Sequence, residues 1–72
     1  MNREFFFKLG YKIKYERVKK QLSQLELSLQ SGLTTRTLSR IESGTIDPKI
    51  STLKRIADAL CIEIADLLKF EL

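Results

Sequence analysis

The strongest constraint on the fold lies near the middle of the chain, where a helix start signal is closely followed by a helix stop signal. Ser23 and Glu26 have the spacing of a capping box, in which each side chain satisfies a free backbone amide at the start of a helix. Gly32 can adopt the left-handed conformation that ends a helix. We therefore predict a short helix over 24–30, because no long helix can run through this segment.

A second short helix follows at once. Thr34 supplies an N-cap, and Gly44 again provides a stop signal, so we predict a helix over 34–42. Two short helices joined by a tight turn form the helix-turn-helix unit, here over about 23–43. In DNA-binding proteins the second helix of such a unit enters the major groove.

The outward face of the predicted 34–42 helix follows from helical geometry. Leu38 and Ile41 are three residues apart and define its inner side. The opposite side carries these polar residues and no acid: Thr35, Arg36, Ser39 and Arg40. Arginine matches the guanine edge, and serine or threonine can serve several bases or phosphates. This favours a DNA-reading face, with an ordinary solvated helix face as the alternative.

The rest of the chain is also predicted to be helical, because apolar residues recur at helical rather than alternating spacing. The first helix is expected over 2–20, with Gly10 reducing its regularity. Ser51 is expected to cap a fourth helix. The expected inner residues of the first, fourth and fifth helices are Phe6, Leu9 and Ile13; Leu53, Ile56, Ala57 and Leu60; and Ile64, Leu67 and Leu68.

Composition narrows the range of functions. The 72 residues leave room for one domain over 1–72 and no second core. With no histidine and only Cys61, we expect no disulfide, no metal site, no cofactor, no catalytic residue and hence no enzyme. No apolar run is long enough for a membrane helix, and no signal peptide is expected. A reducing, cytoplasmic location fits best.

Charge is unevenly distributed along the chain, whose net charge is +4. The segment 8–20 carries six basic residues against Glu16 alone, whereas residues from Ala57 onward are mainly acidic. This asymmetry suggests that one face contacts a polyanion, and a solvated surface is the equally simple alternative.

A family resemblance becomes specific in the centre of the chain. It rests on these residues: Gln24, Leu27, Ser28, Gly32, Leu33, Thr34, Thr37, Leu38, Ser39, Arg40, Ile41, Glu42, Ser43, Gly44, Pro48, Leu53, Ile56, Ala57, Ala59 and Leu60. Their order and spacing closely resemble the phage-repressor (Cro/CI, or Xre-type) helix-turn-helix family, over about 9–68. The resemblance implies an all-α, compact five-helix lambda-repressor-like DNA-binding domain. It also implies a small transcriptional regulator, usually a repressor, that binds double-stranded DNA at a pseudo-palindromic operator as a homodimer.

The resemblance also implies roles for individual residues. Gln24 opens the second helix, where the family contacts phosphate. Thr35, Arg36 and Arg40 fall where the family reads base edges. The full expected DNA-binding set is Gln24, Thr34, Thr35, Arg36, Ser39, Arg40, Ser43, Thr45 and Lys49. The last three surround the loop after the third helix, which approaches the DNA backbone in the family, and a plain surface lysine is the alternative for Lys49.

Two charged residues pose a physical problem that the resemblance resolves. Glu42 lies in the last turn of its helix, where the helix dipole disfavours an anion. Arg17 lies four residues after Ile13 and so points toward the apolar face of the first helix. The family often pairs these two positions, so we expect a structural ion pair. Two solvated side chains are the alternative.

Some residues depart from the family pattern. Ser28 replaces a usual alanine and can bond back to the preceding turn. Cys61 stands where glycine often ends the fourth helix, so a positive φ there would carry strain of about 1 kcal/mol. Glu16 stands where an apolar residue is common. Leu25 and Leu29 occupy usually polar surface positions. If exposed, they favour the alternative function of an antitoxin or adaptor that grips a protein.

An aromatic stripe remains on the first helix. Phe7, Tyr11, Tyr15 and Val18 recur at helical spacing, roughly opposite Leu9 and Ile13. If exposed, such a patch marks a contact surface, which could be the dimer interface. Alternatively, the N-terminal arm, or Phe70 with Leu72, covers it within one chain. The rival dimer surface is formed by Ile62, Ile64 and Phe70.

Overall fold

The computed structural model describes residues 3–71, and over these residues the chain is helical without strands. The helices are α1 (Arg3–Lys19), α2 (Gln24–Ser31), α3 (Thr35–Glu42), α4 (Ile50–Ala59) and α5 (Ile64–Leu67). They pack into a body of 28 × 22 × 20 Å. The all-α, five-helix prediction is therefore confirmed. The predicted start of the first helix at Asn2 and the expected cover by Leu72 lie outside the described residues.

The helix ends in the centre of the chain use the predicted caps. Ser23 Oγ accepts from the Glu26 amide at 3.0 Å, and Glu26 accepts from the Ser23 amide at 2.9 Å, so the capping box is complete. Gly32 adopts a left-handed conformation with φ 75° and ends α2. Thr34 Oγ1 accepts from the Thr37 amide at 3.0 Å and caps α3.

The start of α4 was predicted wrongly. The helix begins at Ile50 with Lys49 as its N-cap and without a side-chain cap, so Ser51 is an exposed residue of the first turn. Lys49 has extended backbone angles (φ −67°, ψ 152°), and its carbonyl accepts from the Leu53 amide at 3.1 Å. The chain after Pro48 therefore enters the helix through backbone hydrogen bonds alone.

A single core lies between the helices. It contains these buried residues: Leu9, Ile13, Leu27, Leu38, Ile41, Leu53, Ile56, Ala57, Leu60 and Leu67. Phe6 was expected on the inner face, but Phe5 packs against the core instead, while Phe6 meets Phe5 edge-on at 5.4 Å. Leu68 was also expected inside, but it follows the end of α5 and is exposed.

Gly10 has a role that helix propensity did not reveal. A Cβ at this position would meet the backbone carbonyls of Ile41 and Glu42, the latter at 2.5 Å. The missing side chain thus lets the backbones of α1 and α3 touch, and α1 remains helical through this residue. The glycine positions the end of α3 rather than making α1 irregular.

Two non-glycine residues adopt left-handed backbone angles after helices. Cys61 has φ 58° after α4, and Gln21 has φ 59° after α1. Cys61 thus has the positive φ that was considered for it because glycine is common at this position in the family, and it carries strain of about 1 kcal/mol.

Ser28 is buried, and its hydroxyl donates to the Leu25 carbonyl at 2.7 Å, as expected. Among the described helices, none is both long and apolar enough to cross a bilayer.

Candidate nucleic-acid interface

The outer face of α3 is an uncovered polar surface. Leu38 and Ile41 are buried on its inner side. Thr35, Arg36, Ser39 and Arg40 are all exposed. Within residues 3–71 neither guanidinium takes part in an ion pair, because the recorded pairs lie elsewhere on the surface or between α1 and α3. Both forks are thus available for a ligand, as guanine recognition in a major groove requires.

The residues that flank this face are partly occupied by local hydrogen bonds. Thr34 is exposed, but its hydroxyl also donates to Thr37 Oγ1 at 3.0 Å. Ser43 and Thr45 are exposed, and their hydroxyls donate to the Arg40 carbonyl at 3.0 and 3.1 Å. These bonds hold the loop after α3 in one conformation, and each hydroxyl oxygen retains lone pairs for a further donor or water.

The loop after α3 is also anchored to α1. Gly44 has φ 75°, and a Cβ there would lie 2.6 Å from Phe7 Cα, so only glycine fits. Lys49 is exposed at the end of the same loop, where it forms the N-cap of α4. The three loop residues of the expected DNA-binding set therefore lie on a segment whose path is defined by packing.

Arg17 and Glu42 form a bidentate ion pair beneath this surface. Arg17 Nε lies 2.8 Å from Glu42 Oε2, and Nη2 donates to Oε1 at 3.0 Å. The two side chains are only 10% and 4% exposed. Arg17 Nη1 also donates to the Leu22 carbonyl at 2.8 Å, so this guanidinium joins α1, the segment before α2, and the end of α3.

Gln24 belongs to the same network. Its side-chain amide donates to Glu42 Oε1 at 3.1 Å, and it is half-buried. The network fixes the orientation of the first residue of α2 relative to the last residue of α3. Since the amide carbonyl of Gln24 makes no recorded bond within the described chain, the side chain can brace α3 and still offer a polar group outward.

Glu16 shows how a charge replaces an expected apolar residue. It is buried, with carboxylate oxygens 3.0 Å from Lys12 Nζ and 3.3 Å from Lys19 Nζ. Burial alone would raise the pKa of the Glu16 carboxyl, but hydrogen bonds and attraction from the two ammonium groups outweigh it, so the pKa lies below its usual value. Glu16 and both lysines lie on α1, so these ion pairs stabilise that helix.

One basic residue near this surface escaped sequence reasoning. The Arg55 guanidinium lies 3.9 Å from the position of a Cβ at Gly32, beside the turn between α2 and α3. Arg55 is an exposed residue of α4. No local pattern in the sequence places Arg55 beside this turn, because that placement depends on how α4 packs against α2. Within residues 3–71, no three His, Cys, Asp or Glu side chains are grouped as metal ligands.

Comparisons with known proteins agree with this geometry. A family model described as "Helix-turn-helix" matches residues 13–67. An uncharacterised HTH-type transcriptional regulator of Sinorhizobium fredii, y4dL, is 48% identical over 44 residues, which cover 61% of this chain and 22% of that protein. The match thus spans about a fifth of the curated relative's length.

Solved structures with the same fold include regulators of several kinds. The restriction-modification controller protein C.AhdI of Aeromonas hydrophila has a TM-score of 0.85 and 31% identity, over 86% of this chain and 94% of that one. The competence regulator ComR of Streptococcus vestibularis, in its apo form, has a TM-score of 0.85 and 38% identity, over 94% of this chain and 23% of that one. The clp gene regulator ClgR of Corynebacterium glutamicum has a TM-score of 0.84 and 26% identity, over 89% and 83%.

Proposed function

Since the chain belongs to the helix-turn-helix family, whose members are DNA-binding regulators rather than enzymes, we propose that it is a small transcriptional regulator that reads duplex DNA with α3. The observation that carries the proposal is the outer face of α3, where Arg36 and Arg40 are exposed and free of ion pairs within the described chain. In a helix-turn-helix unit the second helix enters the major groove, and arginine side chains without an intramolecular ion pair can there bind the edges of bases.

The proposed roles divide between base edges and backbone. Arg36 and Arg40 reach base edges, with Thr35 and Ser39 beside them. Gln24 and the amide-rich start of α3 at Thr34 meet phosphate, as do Ser43, Thr45 and Lys49 around the loop. Arg55 adds a positive charge beside the turn. Phosphate contacts set the position of the helix, and base contacts select the sequence.

A homodimer on a pseudo-palindromic operator fits this mode of reading. One α3 spans only a few base pairs, so two copies related by a two-fold axis double the sequence that is read. Bound at a promoter, such a dimer would repress transcription by occluding polymerase. A DNA ligand and an unpaired Cys61 both suit the cytoplasm.

Selection from a random duplex pool, followed by binding titrations on the selected site, tests the proposal. Arg40→Ala should weaken binding by about 1–3 kcal/mol and relax the preference at one base pair. Arg36→Ala should behave similarly, or weaken all sequences equally if it contacts phosphate. Lys49→Ala should reduce the salt slope by about one without changing sequence preference. Equal binding by the Arg36/Arg40 double variant and the parent protein would refute the assignment of this face.

An adaptor or antitoxin that grips a protein is the second candidate function. One observation favours it: Leu25 and Leu29 on α2 are 58% and 74% exposed. The same titration separates the two functions, because binding through phosphates weakens steeply with salt and apolar protein contacts do not. A chain that binds no duplex at low salt would favour the adaptor.

A further inference from the structure

The aromatic stripe of α1, formed by Phe7, Tyr11, Tyr15 and Val18, is uncovered. These four residues are 62%, 64%, 51% and 54% exposed. Phe70 borders the stripe and packs against Phe5 with ring centroids 5.6 Å apart, but it leaves every stripe residue more than half exposed. A monomer rarely leaves three aromatic residues in one row in water, so the stripe has the character of a contact surface.

The stripe forms an exposed ridge, and two shallow depressions that share Tyr11 and Tyr15 in their linings lie along it. One, of about 430 Å³, is lined by Tyr11, Lys14, Tyr15, Val18 and Lys19. The other, of about 420 Å³, has mainly apolar walls and includes Phe70. From Phe7 to Val18 the ridge runs about 16 Å, or three helical turns. Apolar side chains at positions i, i+4, i+7 and i+11 of a partner helix span the same length and can fill such depressions.

The rim of the stripe is basic. Lys8, Lys12, Lys14 and Lys19 surround it, and the ammonium groups of Lys12 and Lys19 each lie 5.4 Å from the centre of the Tyr15 ring. Two acids offset part of this charge: Glu16 is buried under Lys12 and Lys19, and the exposed Glu4 pairs with Lys8 at 3.4 Å. Within the described chain Lys14 is exposed and makes no ion pair, so the rim carries positive charge toward an incoming partner.

We propose that the stripe binds an acidic amphipathic helix of a partner protein, with apolar side chains in the two depressions and carboxylates over the lysine rim. Charge selects this occupant. A second copy that met the stripe through the same surface would bring two lysine rims together, because a two-fold contact pairs each patch with itself. The apolar walls beside Phe70 are unsuited to a phosphodiester backbone, which disfavours a nucleic-acid strand.

The test uses the whole chain and a fluorescein-labelled helical peptide of about five turns. The peptide has leucine at every third or fourth position and glutamate on both sides of that leucine row; a second peptide replaces every glutamate with lysine. Fluorescence anisotropy should show binding of the acidic peptide at least about tenfold tighter than of the basic one. The Tyr11→Ala/Tyr15→Ala variant and the Lys14→Glu variant should each weaken acidic-peptide binding by about tenfold or more.

Two matched variants complete the design. Leu29→Ala removes an exposed apolar side chain from α2, and Arg40→Glu reverses an exposed charge on α3; both should bind the acidic peptide as the parent does. Circular dichroism verifies the fold of every variant. Equal affinity for the two peptides would overturn the proposal. The proposal would also be overturned if the parent were a dimer in ultracentrifugation and the tyrosine variant a monomer. Displacement of the peptide from the stripe by a single-stranded oligonucleotide would overturn it as well.

Discussion

Replacement of Arg17 by alanine offers the sharpest test of how the reading helix is held. The change removes three hydrogen bonds, two to Glu42 and one to the Leu22 carbonyl. It leaves the Glu42 carboxylate, whose side chain is 4% exposed, with the Gln24 amide as its remaining side-chain donor. Loss of one partner from a buried pair costs about 3–5 kcal/mol.

That cost is large for a chain of this size. At about 0.05–0.15 kcal/mol per residue, a domain of this length is stable by roughly 4–11 kcal/mol. Arg17→Ala should therefore remove about a quarter or more of the free energy of unfolding and lower Tm by at least about 12 °C. Glu42→Ala should have a similar effect, because it strands the buried guanidinium.

The measurement is a double-mutant cycle by urea denaturation, followed by far-ultraviolet circular dichroism. The double variant should lose less than the sum of the single losses, with a coupling energy of about 2 kcal/mol or more. Lys54→Ala is the control, because Lys54 and Asp58 also pair at 2.6 Å but are 64% and 61% exposed. It should change stability by less than about 1 kcal/mol. Strict additivity of Arg17→Ala and Glu42→Ala would refute the interaction.

Three further predictions concern packing, backbone strain and pH. Gly10→Ala should destabilise the protein by about 1–3 kcal/mol although alanine has the better helix propensity, because the new Cβ meets two backbone carbonyls. Lys14→Ala, on the exposed side of α1, is the control and should leave the free energy of unfolding nearly unchanged in the same urea assay. Cys61→Gly should stabilise by about 0.5–1 kcal/mol by relieving the φ of 58°, and a gain no larger than that of Cys61→Ala would argue against strain. The pKa of Glu16 is lowered in the folded protein, so its contribution to stability is complete above the unfolded pKa near 4.5 and is lost as pH falls through the lower folded pKa. The stability advantage of the parent protein over Glu16→Gln should therefore shrink in acid. An advantage that stays constant with pH would contradict this.

The sequence by itself determined the features that depend on neighbours a few residues away. The capping box at Ser23, the N-cap at Thr34 and the left-handed Gly32 are interactions within one turn, so their residues predict them directly. The outward direction of Arg36 and Arg40 also follows from the period of the helix, once Leu38 and Ile41 are placed on its inner side. The number of helices, their order along the chain and the candidate DNA-reading face were therefore predictable from the sequence.

The first turn of α4 shows where local signals end. Ser51 has the chemistry of a cap, yet the helix starts earlier, because the backbone at Lys49 already has the extended conformation of an N-cap and its carbonyl is in use. The pairing of Arg17 with Glu42 was expected only through a family resemblance. Neither residue carries a local sign of its partner, since 25 positions separate them.

Only the tertiary structure decided how the helices meet. It showed that Gly10 lets α1 touch the backbone at the end of α3, that Gln24 joins the ion pair, and that Arg55 lies beside the turn at Gly32. It also showed that Phe70 leaves every residue of the aromatic stripe of α1 more than half exposed. These outcomes depend on the sum of many small packing contacts between residues far apart in the chain, and no short stretch of sequence contains that sum.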